Sequence, residues 1–143
     1  MQEFTIESSR TIDLSQFEAA GTAPLLAAGV RLFGPNADNV TLDMEPEASA
    51  FSADGTKLYV NFQDNSAVGR LDIATDTWDF LVGYGFPNLT LDPSDRDEAI
   101  NIASEFSGFT VKGMLQPDSI AVKEIGGVTY LFTSNEVGRP PSS

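Results

Sequence analysis

The sequence predicts an all-β protein whose antiparallel strands form small, blade-like sheets, with one short helix. Its 143 residues include twelve glycines and eight prolines, spread over the whole length. Such a distribution favours many turns and short strands over a helical bundle. Apolar residues make up 41% of the chain, which is enough for one domain with a real core. Runs of alternating polar and apolar residues then place the strands.

The segment before residue 45 is predicted to hold short, mixed elements. Strands of a few residues each are predicted for the runs EFTIES (3–8), TIDL (11–14) and VRLFGP (30–35). The run APLLAAGV (23–30) predicts a helix, since Pro24 suits a first helical turn and Gly29 a helix end. It is the single helix that the sequence predicts.

Residues 45–85 carry the clearest pattern. Four strands separated by turns are predicted there, at 48–52, 57–62, 67–73 and 78–85. Asp54-Gly55 predicts a tight hairpin turn of type I′, because glycine reaches the positive φ that this geometry demands. Leu58, Val60 and Phe62 alternate along the second strand and share one face. Four short antiparallel strands in about 40 residues are the repeat unit of a β-propeller blade, so we expect residues 45–85 to form one blade.

A second, partial copy of this plan begins at residue 116. The stretch QPDSIAVKEIGGVTYLFTSNE (116–136) repeats EPEASAFSADGTKLYVNFQDN, with a proline near its start, a glycine turn and a tyrosine in its second strand. Residues 116–136 therefore predict the start of a next blade. The stretch between the copies, 86–115, is too long for a turn between strands and predicts an acidic insertion. The whole chain, 1–143, then forms a single partial propeller domain.

The charge and the missing residue types exclude several classes of function. Eight basic and 21 acidic residues give a formal net charge of −13. This charge disfavours nucleic acid and membrane insertion as partners, and favours divalent cations, basic proteins or mineral surfaces. The alternative is that the acidity only keeps an exported or marine-type protein in solution. The absence of cysteine and histidine excludes disulfides, thiolate metal sites and any mechanism with a histidine base. The start, MQEFTIESSR, shows no signal peptide, and no apolar run approaches the roughly 20 residues that span a bilayer.

Several motifs carry a resemblance to a known family. FSADGTKLYV, followed by NSAVGRLDIATDT, resembles the YVTN-type propeller repeat. Five further stretches of this chain resemble the choice-of-anchor I domain and occur in the same order as there. They are AAGVRLFGP, EPE, LDPSDRDEAINI, VKGMLQPDSIAV and GGVTYLFTSNE. The resemblance extends over residues 11–136. It departs from the family after SNE, where VGRPPSS stands in place of a Gly-Asp-Ala-Arg run.

The resemblance implies a propeller protein that is secreted or anchored at the cell surface. Such relatives include proteins labelled as mesenchyme-specific cell-surface glycoproteins and as alkaline-phosphatase-like. Closing a propeller takes about four to eight blades, and this chain has room for two to three of about 40–45 residues each. We therefore expect an incomplete, extracellular or cell-surface propeller that associates with the rest of a longer propeller or with other copies of the chain.

The acidic insertion contains the first candidate metal site. Asp92, Asp95, Asp97 and Asn101 lie close together in LDPSDRDEAINI, and clustered carboxylates on an irregular loop suit calcium. Their spacing does not fit an EF-hand, so further ligands would have to come from elsewhere. The alternative is a solvated loop, in which Asp92 starts a turn before Pro93 and Asp95 caps a short helical turn.

Glu45 and Glu47, on either side of Pro46, form the second candidate metal site. Strand starts in propellers open onto the central channel, where a pair of carboxylates can hold a metal or supply a general base. Asp118 takes the equivalent place in the second copy. The alternative is that Glu45 and Glu47 are polar residues at a solvated strand end.

Two functions remain open, beside a fragment with no activity of its own. The first is a non-enzymatic extracellular module that binds a protein, glycan or mineral surface, or serves a structural role, with calcium as its candidate ion. The second is part of a calcium-dependent phosphoesterase-like or lactonase-like propeller enzyme, in which the ion activates water. The sequence predicts no catalytic residue, no cofactor-binding residue and no cofactor besides calcium.

Overall fold

The computed structural model describes residues 9–87 and 113–135. Within these ranges the chain is mostly β, as predicted, with one antiparallel sheet of four strands and another of two. The helical elements are α1 (Ser15–Ala20), α2 (Thr22–Ala27), a 3-10 helix (Gly34–Asn36) and α3 (Val40–Asp43). The strands are β1 (Pro46–Phe51), β2 (Lys57–Phe62), β3 (Ala67–Asp72), β4 (Thr77–Gly83), β5 (Pro117–Ile125) and β6 (Val128–Asn135).

The four-stranded sheet confirms the strand pattern predicted for residues 45–85. Its strands lie in the order β1-β2-β3-β4, and β2 has the predicted bounds. The predicted type I′ geometry is wrong, because the loop is closed by the Ser52 N–H bond to the Lys57 carbonyl at 2.9 Å and Asp54 does not have a positive φ. Gly55 does, and its φ of 73° lies in the left-handed region that favours glycine. Leu58, Val60 and Phe62 share one face of the sheet and belong to the core or pack against it, as predicted.

Helices cover this first face of the sheet. They bring Phe17, Leu25 and Val40 against the strands, and each of these side chains is 9% exposed or less. Trp78 on β4 lies between Phe17 and Phe62, with ring centroids 5.9 Å from each. The same core, which joins the helical layer to the sheet, also contains Leu14, Val30, Met44, Ala67, Leu71 and Leu81.

The strand predicted at residues 11–14 is wrong, because local hydrogen bonds start a helix there. The Asp13 carboxylate accepts from the Ser15 N–H at 3.0 Å, and the Leu14 carbonyl accepts from the Phe17 N–H at 2.9 Å. The chain therefore turns into α1 instead of continuing as a strand. The apolar side chain of Leu14 is buried in the core without strand pairing.

The other predictions for the first 44 residues are corrected in part. The helix predicted at 23–30 is α2, which spans Thr22–Ala27, and α1 precedes it across Gly21. Gly29 follows the end of α2 with a φ of 82°, which fits its predicted role as a helix stop. The strand predicted at 30–35 is wrong, since residues 30–33 form no strand and Gly34 begins the 3-10 helix. The strand predicted at 3–8 lies outside the described residues.

The β5–β6 hairpin lies over the second face of the sheet. It confirms the strand pair predicted within residues 116–136, and β5 lies against β1 and β2. Tyr59 and Asn61 on β2 point to this face and are 5% and 0% exposed. Neither sheet closes on itself within the described residues. Their assignment as propeller blades stays a prediction.

Asn65, in the turn between β2 and β3, joins the helical layer to the sheet. Its side-chain NH2 group donates to the carbonyls of Arg31 at 2.9 Å and Asp43 at 3.2 Å, and to the Asp43 carboxylate at 3.0 Å. Its Oδ1 accepts from the Glu45 N–H at 3.0 Å, and the residue is fully buried. The Arg31 carbonyl is therefore bound by a side chain and not by a neighbouring strand, as it would be in the strand predicted at 30–35.

The substitution Asn65→Ala should lower the free energy of unfolding by about 3 kcal/mol, because each buried polar group left without its partner costs about 1–3 kcal/mol. Urea unfolding followed by circular dichroism measures this loss. Asn36→Ala is the matched control, since Asn36 is exposed and its replacement should cost less than about 0.5 kcal/mol. Equal unfolding midpoints for the two variants would contradict the role of Asn65.

Candidate functional site

Two acidic residues occupy equivalent bulges at the starts of β1 and β5. The register of β1 shifts between Pro46 and Ala48, and that of β5 shifts between Pro117 and Ser119. Glu47 and Asp118 are the residues inside these bulges, and both are exposed. The structure thus gives the two acidic residues corresponding positions, as the repeated plan predicts.

A buried amide on β2 binds the start of β5 and the side chain of Tyr84. Asn61 on β2 donates from its side-chain nitrogen to the Pro117 carbonyl, and its Oδ1 accepts from the Tyr84 hydroxyl at 3.0 Å. Burial of the phenol raises the pKa of Tyr84 to about 12. The hydroxyl therefore stays protonated and acts as a hydrogen-bond donor at neutral pH.

One of the two candidate cation sites lies among the described residues and the other does not. In residues 9–87 and 113–135, no three carboxylates group closely enough to hold a metal ion. Glu45 and Glu47 are exposed on either side of Pro46, at the start of β1. Asp92, Asp95, Asp97 and Asn101 lie outside the described residues. A calcium site that draws on both sets stays a prediction.

The hairpin presents an apolar face that points away from the four-stranded sheet. Register pairs Ala121 with Phe132, Lys123 with Tyr130 and Ile125 with Val128, so these six residues share one side. We call this side the outer face. Its four largest apolar side chains are about half exposed: Ile125 54%, Val128 53%, Tyr130 46% and Phe132 53%. The opposite side, with Ile120, Val122 and Leu131, is the inner face and is half-buried toward the sheet.

An apolar cavity of about 320 Å³ lies between the helical layer and the first face of the sheet. Its polar neighbours are satisfied locally, since the Asp13 carbonyl accepts from the Trp78 Nε1–H at 2.9 Å and the Thr41 N–H donates to Glu18 at 3.0 Å. The lining is mostly apolar, with Asp13 and Thr41 as its polar members, so the cavity offers mainly packing space. Its walls include Ile12, Leu14, Met44, Leu58, Val60, Phe62, Leu71 and Trp78.

A cluster of ion pairs lies at the turn end of the sheet. Lys57 Nζ is 2.6 Å from an Asp72 oxygen and 2.8 Å from an Asp79 oxygen, and Arg70 Nε is 2.8 Å from the same Asp79 oxygen. The bond from Lys57 lowers the pKa of Asp72 to about 2 and also lowers the pKa of Asp79, while both carboxylates raise the pKa of Lys57. Charges that are paired in this way stabilise a turn and are poor proton donors or acceptors at neutral pH.

The outer face is the surface that sequence reasoning did not single out. A signal for it exists in VTYLFTSN, where Tyr130 and Phe132 alternate with Leu131 so that both sides of β6 carry apolar groups. A strand that is apolar on both sides is typical of a strand covered on both sides. Within the described residues, the side of β6 with Leu131 is partly covered, and the side with Tyr130 and Phe132 is exposed.

Comparison with known proteins gives one family. The model of the choice-of-anchor I domain matches residues 2–139. No curated protein and no solved structure matches the chain. Choice-of-anchor domains usually belong to surface-anchored proteins. In the part of the chain that the structure describes, no helix is both long and apolar enough to cross a membrane.

Acid should remove the contribution of Asp72 to stability. Its pKa of about 2 in the folded chain lies below the usual 3.8, so the contribution is complete above about pH 4 and is lost as the pH falls toward 2. The Asp72→Asn variant should therefore lose less stability than the parent between about pH 4 and pH 2. Acid unfolding followed by tryptophan fluorescence measures this difference. Asp38→Asn, at an exposed position, is the control and should keep the parent's curve. An unchanged curve for Asp72→Asn would refute the coupling to Lys57.

Proposed function

The chain belongs to the choice-of-anchor I family, and from this premise we propose that it is a non-enzymatic binding or structural module of an extracellular, surface-anchored protein. The observation that carries the proposal is the outer face of the β5–β6 hairpin. Its four half-exposed apolar side chains form a contiguous patch in the described structure. Such patches mark surfaces at which soluble proteins meet partners.

The chemistry of the described residues supports a binding role over catalysis. The carboxylates of Asp72 and Asp79 are held in ion pairs, and the buried Asp43 carboxylate accepts from the backbone N–H of Phe33 and from Asn65. None of the three combines a free oxygen with an enclosed pocket, which a general base needs. The walls of the apolar cavity are mostly hydrocarbon, with Asp13 and Thr41 as their polar members, so the cavity suits packing better than turnover.

Calcium remains part of the proposal as a stabilising ion. Glu47 and Asp118 lie at corresponding bulges of two adjacent strands, and each is exposed to solvent. A net charge of −13 raises the local concentration of divalent cations around the chain. Ligands from Asp92, Asp95, Asp97 and Asn101 would have to complete a coordination shell of six to eight oxygens.

The rival proposal, a calcium-dependent phosphoesterase-like or lactonase-like activity, makes a different prediction. It requires an ion that binds and activates water, with ligands drawn from several strands. Turnover of a chromogenic phosphoester that disappears with chelator and with Asp97→Ala would favour this rival. Under this rival, Glu47→Gln should also slow turnover. If the ion is only structural, the parent chain itself should show no turnover.

The binding role predicts retention of the purified chain on the cell-envelope fraction of the organism that produces it. Phe132→Asp places a charge in the centre of the outer face and should lower retention at least about tenfold, as loss of a central contact does. Phe51→Asp is the matched control, because Phe51 is 62% exposed and lies opposite Leu58 on the first face of the sheet, whereas the hairpin lies over the second face. Equal retention of the parent and both variants would refute the binding role of this face.

The calcium component is tested by a thermal melt of the purified chain with excess Ca²⁺ and then with chelator. Free ion at about 100 times its Kd adds roughly 2.7 kcal/mol, which shifts Tm by several degrees. The double variant Glu47→Gln with Asp118→Asn should lose most of this shift if the two bulges contribute ligands. A parent melt that does not respond to calcium would remove the ion from the proposal and leave the binding role intact.

A further inference from the structure

The helical layer covers the first face of the sheet unevenly. Over β4 it brings Phe17 against Trp78, and both side chains are buried. Over β1 and β2 the same face is more open, since Leu58 and Val60 are only half-buried. The residue of β1 opposite Val60 is Ser49, whose side chain is too small to cover it. A hollow is therefore left where the helical layer ends.

This hollow is the apolar cavity of about 320 Å³, which has a buried floor and an open mouth. The floor is formed by Phe62, Leu71 and Trp78, which are 1%, 2% and 8% exposed. The mouth is formed by the exposed Pro46 and the half-buried Val60. Small-molecule sites have this form, with mostly apolar walls and a volume of about 300–1,000 Å³.

A second, smaller cavity continues the first along β1. It has a volume of about 210 Å³ and shares Pro46, Leu58 and Val60 with the larger one. We call the two cavities together the groove. It crosses the sheet from Trp78 on β4 to Ser49 on β1. Neighbouring strands lie about 4.8 Å apart, so the groove is about 14 Å long and suits a linear guest.

The volume of the larger cavity limits the size of that guest. A water molecule takes up about 30 Å³ of the liquid, so about 320 Å³ holds roughly ten groups of that size. An unbranched alkyl chain of about eight carbons with a small head group has this number of heavy atoms. Its burial against the apolar floor is favourable, because water leaves both surfaces.

Charge around the groove selects the head group of the guest. Asp13 lines the larger cavity and Glu47 the smaller one. The Glu18 carboxylate accepts from the N–H of Thr41, which also lines the larger cavity. Within the described structure, no lysine or arginine lines either cavity. These carboxylates repel a carboxylate head group and attract an ammonium head group.

We propose that the groove binds one unbranched alkyl chain that carries an ammonium head group. The chain lies along the floor toward Trp78, and the head group stays at the β1 end, where Glu47 is exposed. This site is separate from the outer face of the hairpin and from any calcium site. It therefore does not depend on the binding role proposed above.

The test uses the full chain and three probes of equal chain length, octylamine, 1-octanol and octanoate. Trp78 is the single tryptophan of the chain and lies at the floor, so its fluorescence reports on the groove. Bromine quenches tryptophan at contact distance, and 8-bromooctylamine should therefore quench saturably with a Kd below about 1 mM. Displacement of this probe should rank octylamine first, 1-octanol second and octanoate last.

Variants locate the probe and its head group. Ser49→Phe lays a ring over Val60 and should abolish saturable quenching, whereas Ser49→Thr should keep it. Glu47→Gln should weaken octylamine about two- to fivefold, as loss of one exposed ion pair does, and leave 1-octanol unchanged. Glu124→Gln, at an exposed position of β5, removes the same charge and should change neither. Phe132→Asp on the outer face should leave quenching unchanged.

Four results would overturn the proposal. One is the absence of saturable quenching up to about 1 mM probe. Another is equal quenching of the parent and Ser49→Phe, which would place the probe outside the groove. The third is displacement by octanoate as strong as that by octylamine, which would refute the head-group chemistry. The fourth is binding that appears only after removal of residues 1–8, which would give the groove to the chain's own first segment.

Discussion

The central strand β2 is buried on both of its faces, and the rest of the structure follows from that constraint. Phe62 points to one face and Asn61 to the other, and they are 1% and 0% exposed. A two-sided strand needs a layer on each side, because exposed apolar faces and unpaired buried amides both cost free energy. The helices supply the first layer and the β5–β6 hairpin supplies the second.

The two layers are attached by different physical means. On the helical side, apolar packing around Trp78 dominates, and Gln16 adds a pair of hydrogen bonds to the Trp78 backbone at 2.9 and 2.8 Å. Gln16 thereby occupies the edge of β4 as a short strand would, which protects an edge that is otherwise open to pairing. On the hairpin side, the buried amide of Asn61 binds the Pro117 carbonyl and the Tyr84 hydroxyl. This polar contact fixes where β5 begins as well as how firmly it is held.

Each layer leaves a different apolar surface uncovered within the described residues. The helical layer closes over most of the first face and leaves an apolar cavity beside Leu58 and Val60. The hairpin covers Tyr59 and presents Tyr130 and Phe132 on its own far side. The proposed binding role rests on this exposed apolar face, because burial of apolar area favours association.

Alternation of side chains determined the sheet in advance. Leu58, Val60 and Phe62 repeat with the strand period, Gly55 supplies the positive φ of the hairpin turn, and the repeated plan around Pro117 gave the second strand pair. These signals are local, and neighbouring residues suffice to read them. The family could also be predicted from the sequence, because its motifs are linear stretches. The family match over residues 2–139 confirms that prediction.

Tertiary contacts determined the structure of the segment before β1 and which face of each strand is buried. The run 11–14 was predicted as a strand, yet the chain enters α1 at Ser15 and Leu14 packs in the core between the helices and the sheet. The Arg31 carbonyl binds the distant Asn65 side chain instead of a strand. Which side of β6 is covered depends on the packing of β5 against β1 and β2. Long-range contacts of this kind override local preference, because burial free energy exceeds the few tenths of a kcal/mol by which most residues differ in propensity.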